Sequence, residues 1–163
     1  MFPDDIEQLA RQVIVAAAAR NLMITTAESC TGGLVAGALT AVAGSSVVLD
    51  RGFVTYSNAA KTEMLGVPAG MIATHGAVSE PVARAMASGA VAQSQATLSV
   101  SITGIAGPGG GSNDKPVGLV HFAACGPGGL SHAEHRFGDL GREAIRLASV
   151  RVALDMLMER TRS

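Results

Sequence analysis

The sequence predicts an α/β layered domain with a mixed sheet, and three observations carry that expectation. Segments with helical period and segments with strand period alternate along all 163 residues, with no break in composition and no internal repeat. Two late apolar stretches flank Gly126-Pro-Gly-Gly129 and read as a hairpin, which must be antiparallel and so makes the sheet mixed. Two strand ends, at 27–33 and 104–111, run into glycine-rich turns, the places where α/β sheets gather their ligand sites.

Taken in order, residues 4–20 read as a helix, because Ile6, Leu9, Ala10, Val13 and Ala17 recur at helical spacing behind an acidic first turn. Residues 22–26 are a short apolar and β-branched run, the pattern of a buried strand. Small residues open a second helix over 31–43, and Gly44 stops it. Residues 47–57 read as extended, with Gly52 as a bulge. A short helix follows over 58–65, ended by Gly66 and Pro68. Ser79-Glu80-Pro81 starts the next, with Ser79 as cap and Pro81 in the first turn, and that helix runs to Gln95. Residues 97–103 alternate with period two and empty into the densest glycine segment of the chain. After the hairpin strands at 117–125 and 130–137 comes a helix over 141–160. It carries two apolar stripes, Ile145/Ala148/Val152/Met156 and Leu147/Val150/Leu154/Leu157, and is expected to be buried on a wide face.

Composition narrows the function classes. The formal charge is −1, no Lys/Arg run exists and only 3% of residues are aromatic, so neither a basic footprint nor a stacking platform for nucleic acid is present. The longest apolar run, residues 13–19, is far short of the ~20 residues of a membrane span. Asp4, Asp5 and Glu7 stand where a secretory leader carries positive charge, which predicts no targeting segment and a cytoplasmic protein. Cys30 and Cys125 are far apart and belong to no Cys/His cluster, and His132 and His135 form an HxxH without a third ligand. The expectation is a reducing compartment, no metal and no cofactor.

Three segments carry chemistry. In Thr26-Ala-Glu-Ser-Cys-Thr-Gly-Gly33, a strand-to-helix junction, a nucleophile would stand exposed at a sharp turn, with helix amides pointing at it. Gly32 and Gly33 let a ligand approach the backbone, and the amides around Thr31 could hold an oxyanion or a phosphate. Ser29 and Cys30 compete as nucleophile, and a helix cap is the plain alternative. Cys30 needs a base to become a thiolate and has no sequence-local histidine, so Ser29 is favoured, with Cys30 packed beside it. In Tyr56-Ser-Asn-Ala-Ala-Lys61, Tyr56 is the only tyrosine, and Lys61 is one of two lysines against ten arginines. A lysine kept in an arginine-preferring chain hints at an amine that must titrate, such as the neutral base of a serine hydrolase. In Ser101-Ile-Thr-Gly-Ile-Ala-Gly-Pro-Gly-Gly-Gly111 the spacing is neither a P-loop nor a dinucleotide fingerprint. A polar turn with exposed amides at Gly104, Ala106 and Gly107, with the Thr103 hydroxyl, fits a phosphate or ribose. Arg142 and Arg146, one helical turn apart, and Ser46 in Gly44-Ser-Ser46 are further candidates for ligand contact.

Over nearly the whole chain these residues resemble the CinA C-terminal domain family of nicotinamide-nucleotide amidases. The resemblance runs through Ala27-Glu-Ser-Cys-Thr-Gly-Gly33, Val54-Thr-Tyr-Ser57 with Lys61, Gly76-Ala-Val-Ser79, Thr103-Gly-Ile-Ala-Gly-Pro108, Pro116-Val-Gly118 and Gly138-Asp139. It implies a three-layer α/β/α sandwich forming one amidase domain over 1–163. The implied reaction is hydrolysis of the carboxamide of nicotinamide mononucleotide to nicotinate mononucleotide and ammonia. Ser29 is then the nucleophile, Lys61 its base and Tyr56 the third catalytic partner. Contacts to a small nucleotide substrate would come from Cys30, Thr31, Gly32, Gly33, Ser46, Thr103, Gly104, Ala106, Gly107 and Arg142. Arg51-Gly52 replaces the two glycines of many members, and Leu140 and Gly141 separate Gly-Asp from Arg142, which leaves open which arginine meets the phosphate. The chain begins at the domain's own first helix, which reads as a stand-alone form, and a homodimer is expected. A non-catalytic nucleotide- or partner-binding module on the same two loops is the alternative.

Overall fold

The computed structural model describes residues 1–162. Strands β1 (Ile24–Glu28), β2 (Leu49–Val54), β3 (Leu98–Gly104), β4 (Leu119–Gly126) and β5 (Gly129–Arg136) form one sheet in the order β2-β1-β3-β4-β5. β1 runs parallel to β2 and β3, while β4 and β5 are antiparallel to their neighbours, so the sheet is mixed as expected. Helices α1 (Asp4–Ala19), α2 (Leu34–Thr40) and α6 (Arg142–Thr161) cover one face. Helices α3 (Asn58–Leu65), α4 (Ala69–His75) and α5 (Glu80–Ala92) cover the other, completing an α/β/α sandwich.

The period-two pattern of β3 explains how the sheet serves two unlike faces. Leu98, Val100 and Ile102 join the larger core with Ile6, Val13, Phe122, Ile145 and Leu154. Ser99, Ser101 and Thr103 point the other way, and their hydroxyls donate to Ala87 O at 2.7 Å, Ala83 O at 2.6 Å and Ala77 O at 2.9 Å. The alanine-lined face of α5 lets the helix come close enough for those bonds to form. β1, paired on both sides, is buried at every residue, whereas edge strand β2 is half-exposed.

Several local expectations are corrected. α2 begins only at Leu34, because Gly32 and Gly33 take left-handed φ values of 58° and 104° and hold 29–33 in a turn. The strand irregularity falls at Asp50, between the pairs Ile24–Leu49 and Thr25–Arg51, and not at Gly52. Glycine at 52 serves close packing instead: a Cβ there would sit 2.9 Å from Thr26 Oγ1 and 3.1 Å from Ala36 Cβ. Ser79 does precede α5, but its hydroxyl donates back to Gly76 O at 2.8 Å and caps no amide. Helix α4 was not expected; only Ile72 in it is buried, so it shows no apolar period to read.

Candidate active site

The site is built where β1 ends. Ser29 N–H donates to Ile102 O at 2.9 Å, continuing the ladder to β3, and the chain then turns back so that Gly32 N–H donates to Ser29 O at 3.0 Å. Glu28, fully buried, turns its carboxylate toward α2 and accepts from Val35 N–H at 2.9 Å and Ala36 N–H at 3.1 Å. A negative charge at the positive end of a helix is favourable. It also occupies the amides of Val35 and Ala36, so those two are closed to a ligand.

Lys61 reaches this turn from the far side. Ser57 Oγ accepts from Ala60 N–H at 3.0 Å and starts α3, whose first turns then aim Lys61 inward. Its side chain is 1% exposed. Nζ lies 3.1 Å from Ser29 Oγ and donates to Thr55 O at 2.8 Å. Thr55 N–H in turn donates to Glu28 O at 2.9 Å, so the carbonyl that orients the amine is fixed to β1. Burial pushes the Lys61 amine below its ordinary 10.5, against a smaller opposing pull from Cys30. Burial, aided by the Glu28 charge, pushes the Cys30 thiol up to about 12. At neutral pH Cys30 is therefore a protonated, packed thiol, and Ser29 is the side chain that has an amine beside it.

An open pocket of about 240 Å³ faces Ser29, lined by Cys30, Tyr56, Gly104–Gly107, Gly109, Gly110 and Arg142. Tyr56 is 62% exposed and makes no bond to Ser29 or Lys61; its hydroxyl accepts from Arg142 Nη2 at 3.0 Å. The acceptor that orients the amine is the backbone carbonyl of Thr55. Arg142 Nη1 donates to Gly107 O at 2.8 Å, so this arginine joins the tyrosine to the glycine loop. Arg146 reaches elsewhere, Nε donating to Cys30 O at 3.1 Å and Nη2 to Thr31 O at 3.2 Å.

Of the residues expected to contact a substrate, Cys30, Gly104, Ala106, Gly107 and Arg142 line this pocket and the other five do not. Thr31 is buried with its hydroxyl unpartnered, Gly32 N–H is used by Ser29 O, and Gly33 packs against Val54. Ser46 lies exposed in a 3-10 turn beyond α2, and the Thr103 hydroxyl is engaged with Ala77 O. His132 and His135, an odd step apart on β5, face opposite sides: His132 meets His121 at 2.9 Å, and His135 stacks on Phe137. Among the described residues no group of three or more His, Cys, Asp or Glu is arranged to hold a metal ion. Among them, too, no helix is long and apolar enough to cross a membrane.

The molecule is thus an α/β/α sandwich that buries a lysine amine against a serine hydroxyl at a strand–helix turn. Comparison with known proteins agrees: residues 6–161 match the model of the CinA C-terminal domain. The chain belongs to the CinA C-terminal domain family. It is 50% identical to the nicotinamide-nucleotide amidohydrolase PncC of Escherichia coli K12, over 98% of this chain and 96% of that protein. It is 51% identical to a CinA-like protein of Anaeromyxobacter sp. Fw109-5 over 96% of its own length, yet spans only 38% of that longer relative. The crystal structure of the competence/damage inducible protein CihA from Agrobacterium tumefaciens, 57% identical, superposes with a TM-score of 0.97 over 100% of this chain and 99% of that one.

Proposed function

We propose that this protein hydrolyses the carboxamide of nicotinamide mononucleotide to nicotinate mononucleotide and ammonia, through an acyl-enzyme on Ser29. The observation that carries the reading is the buried Lys61 amine 3.1 Å from Ser29 Oγ. The likeness to the Escherichia coli amidohydrolase, end to end, supplies the substrate.

In the proposed cycle Lys61, in its neutral form, gives an N–H to Thr55 O and takes the proton of the Ser29 hydroxyl as the oxygen attacks the carboxamide carbon. The tetrahedral intermediate collapses, the C–N bond breaks and the lysine ammonium protonates the departing amine, which leaves as ammonia. Water then attacks the ester by the same proton path, releasing nicotinate mononucleotide and free Ser29. Tyr56, held by Arg142 at the pocket mouth, acts at the substrate's exposed side. A 240 Å³ pocket is smaller than the ~300–1,000 Å³ of sites that bury a whole small ligand, so it suits the nicotinamide end. A second cleft of about 330 Å³ shares Gly109 and Gly110 with it, giving the ribose phosphate a path along the glycine loop. The protein is proposed to act as one domain in the cytoplasm, as a homodimer.

Ammonia release from nicotinamide mononucleotide by the purified protein, beside free nicotinamide and with Ser29→Ala as control, tests the reading. Turnover of the mononucleotide is expected, with none by Ser29→Ala. Wild type that binds the nucleotide without releasing ammonia would overturn it in favour of a binding module.

A further inference from the structure

The nicotinamide of the mononucleotide is a cation: its nitrogen carries the ribose, so the ring is a flat pyridinium. Among the described residues no carboxylate lines the pocket to balance that charge. Glu28, next to the nucleophile in sequence, is fully buried, and its two oxygens are taken by the amides of Val35 and Ala36. The lining does hold one aromatic side chain, Tyr56.

The sheet order places Tyr56 on one side of the nucleophile. β1 lies between β2 and β3, so Ser29, just past the end of β1, is flanked by Tyr56 from the end of β2 and Ile105 from the end of β3. Tyr56 is largely exposed, and among the described residues no other aromatic or histidine ring lies against it. Its hydroxyl is tied to Arg142, which is tied in turn to Gly107 O. The ring is therefore held at its far end with most of its surface uncovered. On the opposite wall Gly104 and Gly107 have no room for a side chain, since a Cβ would lie 2.6 Å from Val120 Cγ2 or Val117 Cγ1. Ile105 is the one side chain larger than a methyl on that wall. Its backbone is fixed at both ends, N–H donating to Leu119 O at 2.9 Å and C=O accepting from Gly118 N–H at 2.8 Å. The face of an aromatic ring attracts a cation, most strongly one that has left water, and a ring already held in place needs little ordering on binding.

We propose that Tyr56 serves with the face of its ring and not with its hydroxyl: the ring receives the substrate's pyridinium on one side, and Ile105 closes on the other. Tyr56 is then a specificity-determining residue that selects a flat, cationic ring bearing the carboxamide. The inference rests on the amidase reading for its substrate.

Two forms of the mononucleotide test it: the oxidised form, whose ring is a cation, and the reduced dihydropyridine form, which keeps the carboxamide and ribose phosphate without the ring charge. Calorimetry in the Ser29→Ala background reads affinity apart from turnover, and steady-state kinetics on the oxidised form read KM and kcat. Tyr56→Leu is expected to raise Kd and KM for the cationic form about tenfold, with kcat falling less than about threefold, and to shift the Kd of the neutral form by less than about twofold. Tyr56→Phe keeps the face and loses the tie to Arg142, so its loss of affinity should be about threefold, well short of that of Tyr56→Leu. Ile105→Ala should weaken both forms by the same factor, about tenfold, because an apolar wall does not read charge. A Tyr56→Phe protein that loses as much affinity or kcat as Tyr56→Leu places the role in the hydroxyl and overturns the inference. Equal weakening of the two forms by Tyr56→Leu, no weakening at all, or an unaltered affinity in Ile105→Ala overturns it too. If Ile105→Ala does not fold, Ile105→Val is judged by the same rule. Wild type that binds the cationic form and releases no ammonia sinks the amidase reading alone, and the inference is then judged on the calorimetry. Wild type that neither binds nor turns over the mononucleotide sinks both.

Discussion

Lys61 shows how one side chain's environment sets its chemistry. The same amine on the surface would be charged at neutral pH and useless as a base; here burial lowers its proton affinity, while Thr55 O and Ser29 Oγ satisfy its hydrogen-bonding capacity. The activity should therefore rise with pH through the lowered value of Lys61, because only the neutral amine accepts the serine proton. A pH profile of kcat/KM for ammonia release checks this, and a profile flat through the range below 10.5 would remove Lys61 from the role. Lys61→Arg retains the charge and cannot deprotonate, so kcat should fall by ~10²–10⁴-fold. Cys30 gives the complementary prediction. With its thiol pushed up to about 12 and the side chain packed in the core, Cys30→Ala should keep turnover within about tenfold and alkylating agents should not inactivate the protein. Rapid inactivation by iodoacetamide, prevented by the Cys30→Ala change, would instead make the thiol the nucleophile.

At the scale of elements, the amine's position depends on how α3 seats against α5. A Cβ on Gly89 of α5 would come within 2.0 Å of Leu65 O, a backbone atom at the end of α3. Gly89→Ala must therefore push α3 outward, and with it Lys61. The expected outcome is a loss of about 1–3 kcal/mol or more in unfolding free energy together with a fall in kcat, read by denaturant melts and the ammonia assay. An unaltered melt would mean that the two helices are not in this close contact. Elements with strong local signals were legible in the sequence: α3 ends at Gly66 as expected, the hairpin turns at Gly126–Gly129, and α6 follows its two stripes within a residue at either end. Elements set by distant partners were not. The start of α2 is delayed by the left-handed turn at Gly32 and Gly33 and held by a Glu28 carboxylate that the fold buries, and α4 has one buried residue to announce it. In the site, the scarcity of lysine singled out Lys61, but the Thr55 carbonyl that orients it carries no side-chain signal at all. Tyr56 was legible as unusual, while its partner, Arg142, lies 86 residues away in sequence.

The whole molecule explains why segments so far apart converge. β2, β1 and β3 run parallel, so their carboxyl ends emerge on one edge of the sheet and deliver Thr55-Tyr56, Ser29-Cys30 and the glycine loop to the same place. The antiparallel pair β4–β5 continues the sheet on the far side of β3, and α6 returns from it to bring Arg142 and Arg146 back to that edge. Holding a lysine at this edge has a consequence for the stability of the entire fold. A lysine whose folded value lies below its unfolded 10.5 binds fewer protons in the native state than in the unfolded state between those two values. Stability must then rise with pH across that window. Below the folded value both states are protonated and the penalty for burying the charge is full and constant; above 10.5 it is gone. Lys61→Met fills similar volume and has no proton to bind, so the stability of wild type relative to this variant should be flat at low pH. It should then climb as pH is raised from the lowered value toward 10.5. Parallel urea melts of the two proteins from about pH 6 to about pH 10 measure the difference directly. Parallel curves with no climb would show that Lys61 keeps its ordinary proton affinity in the fold, and the neutral base with it would be lost.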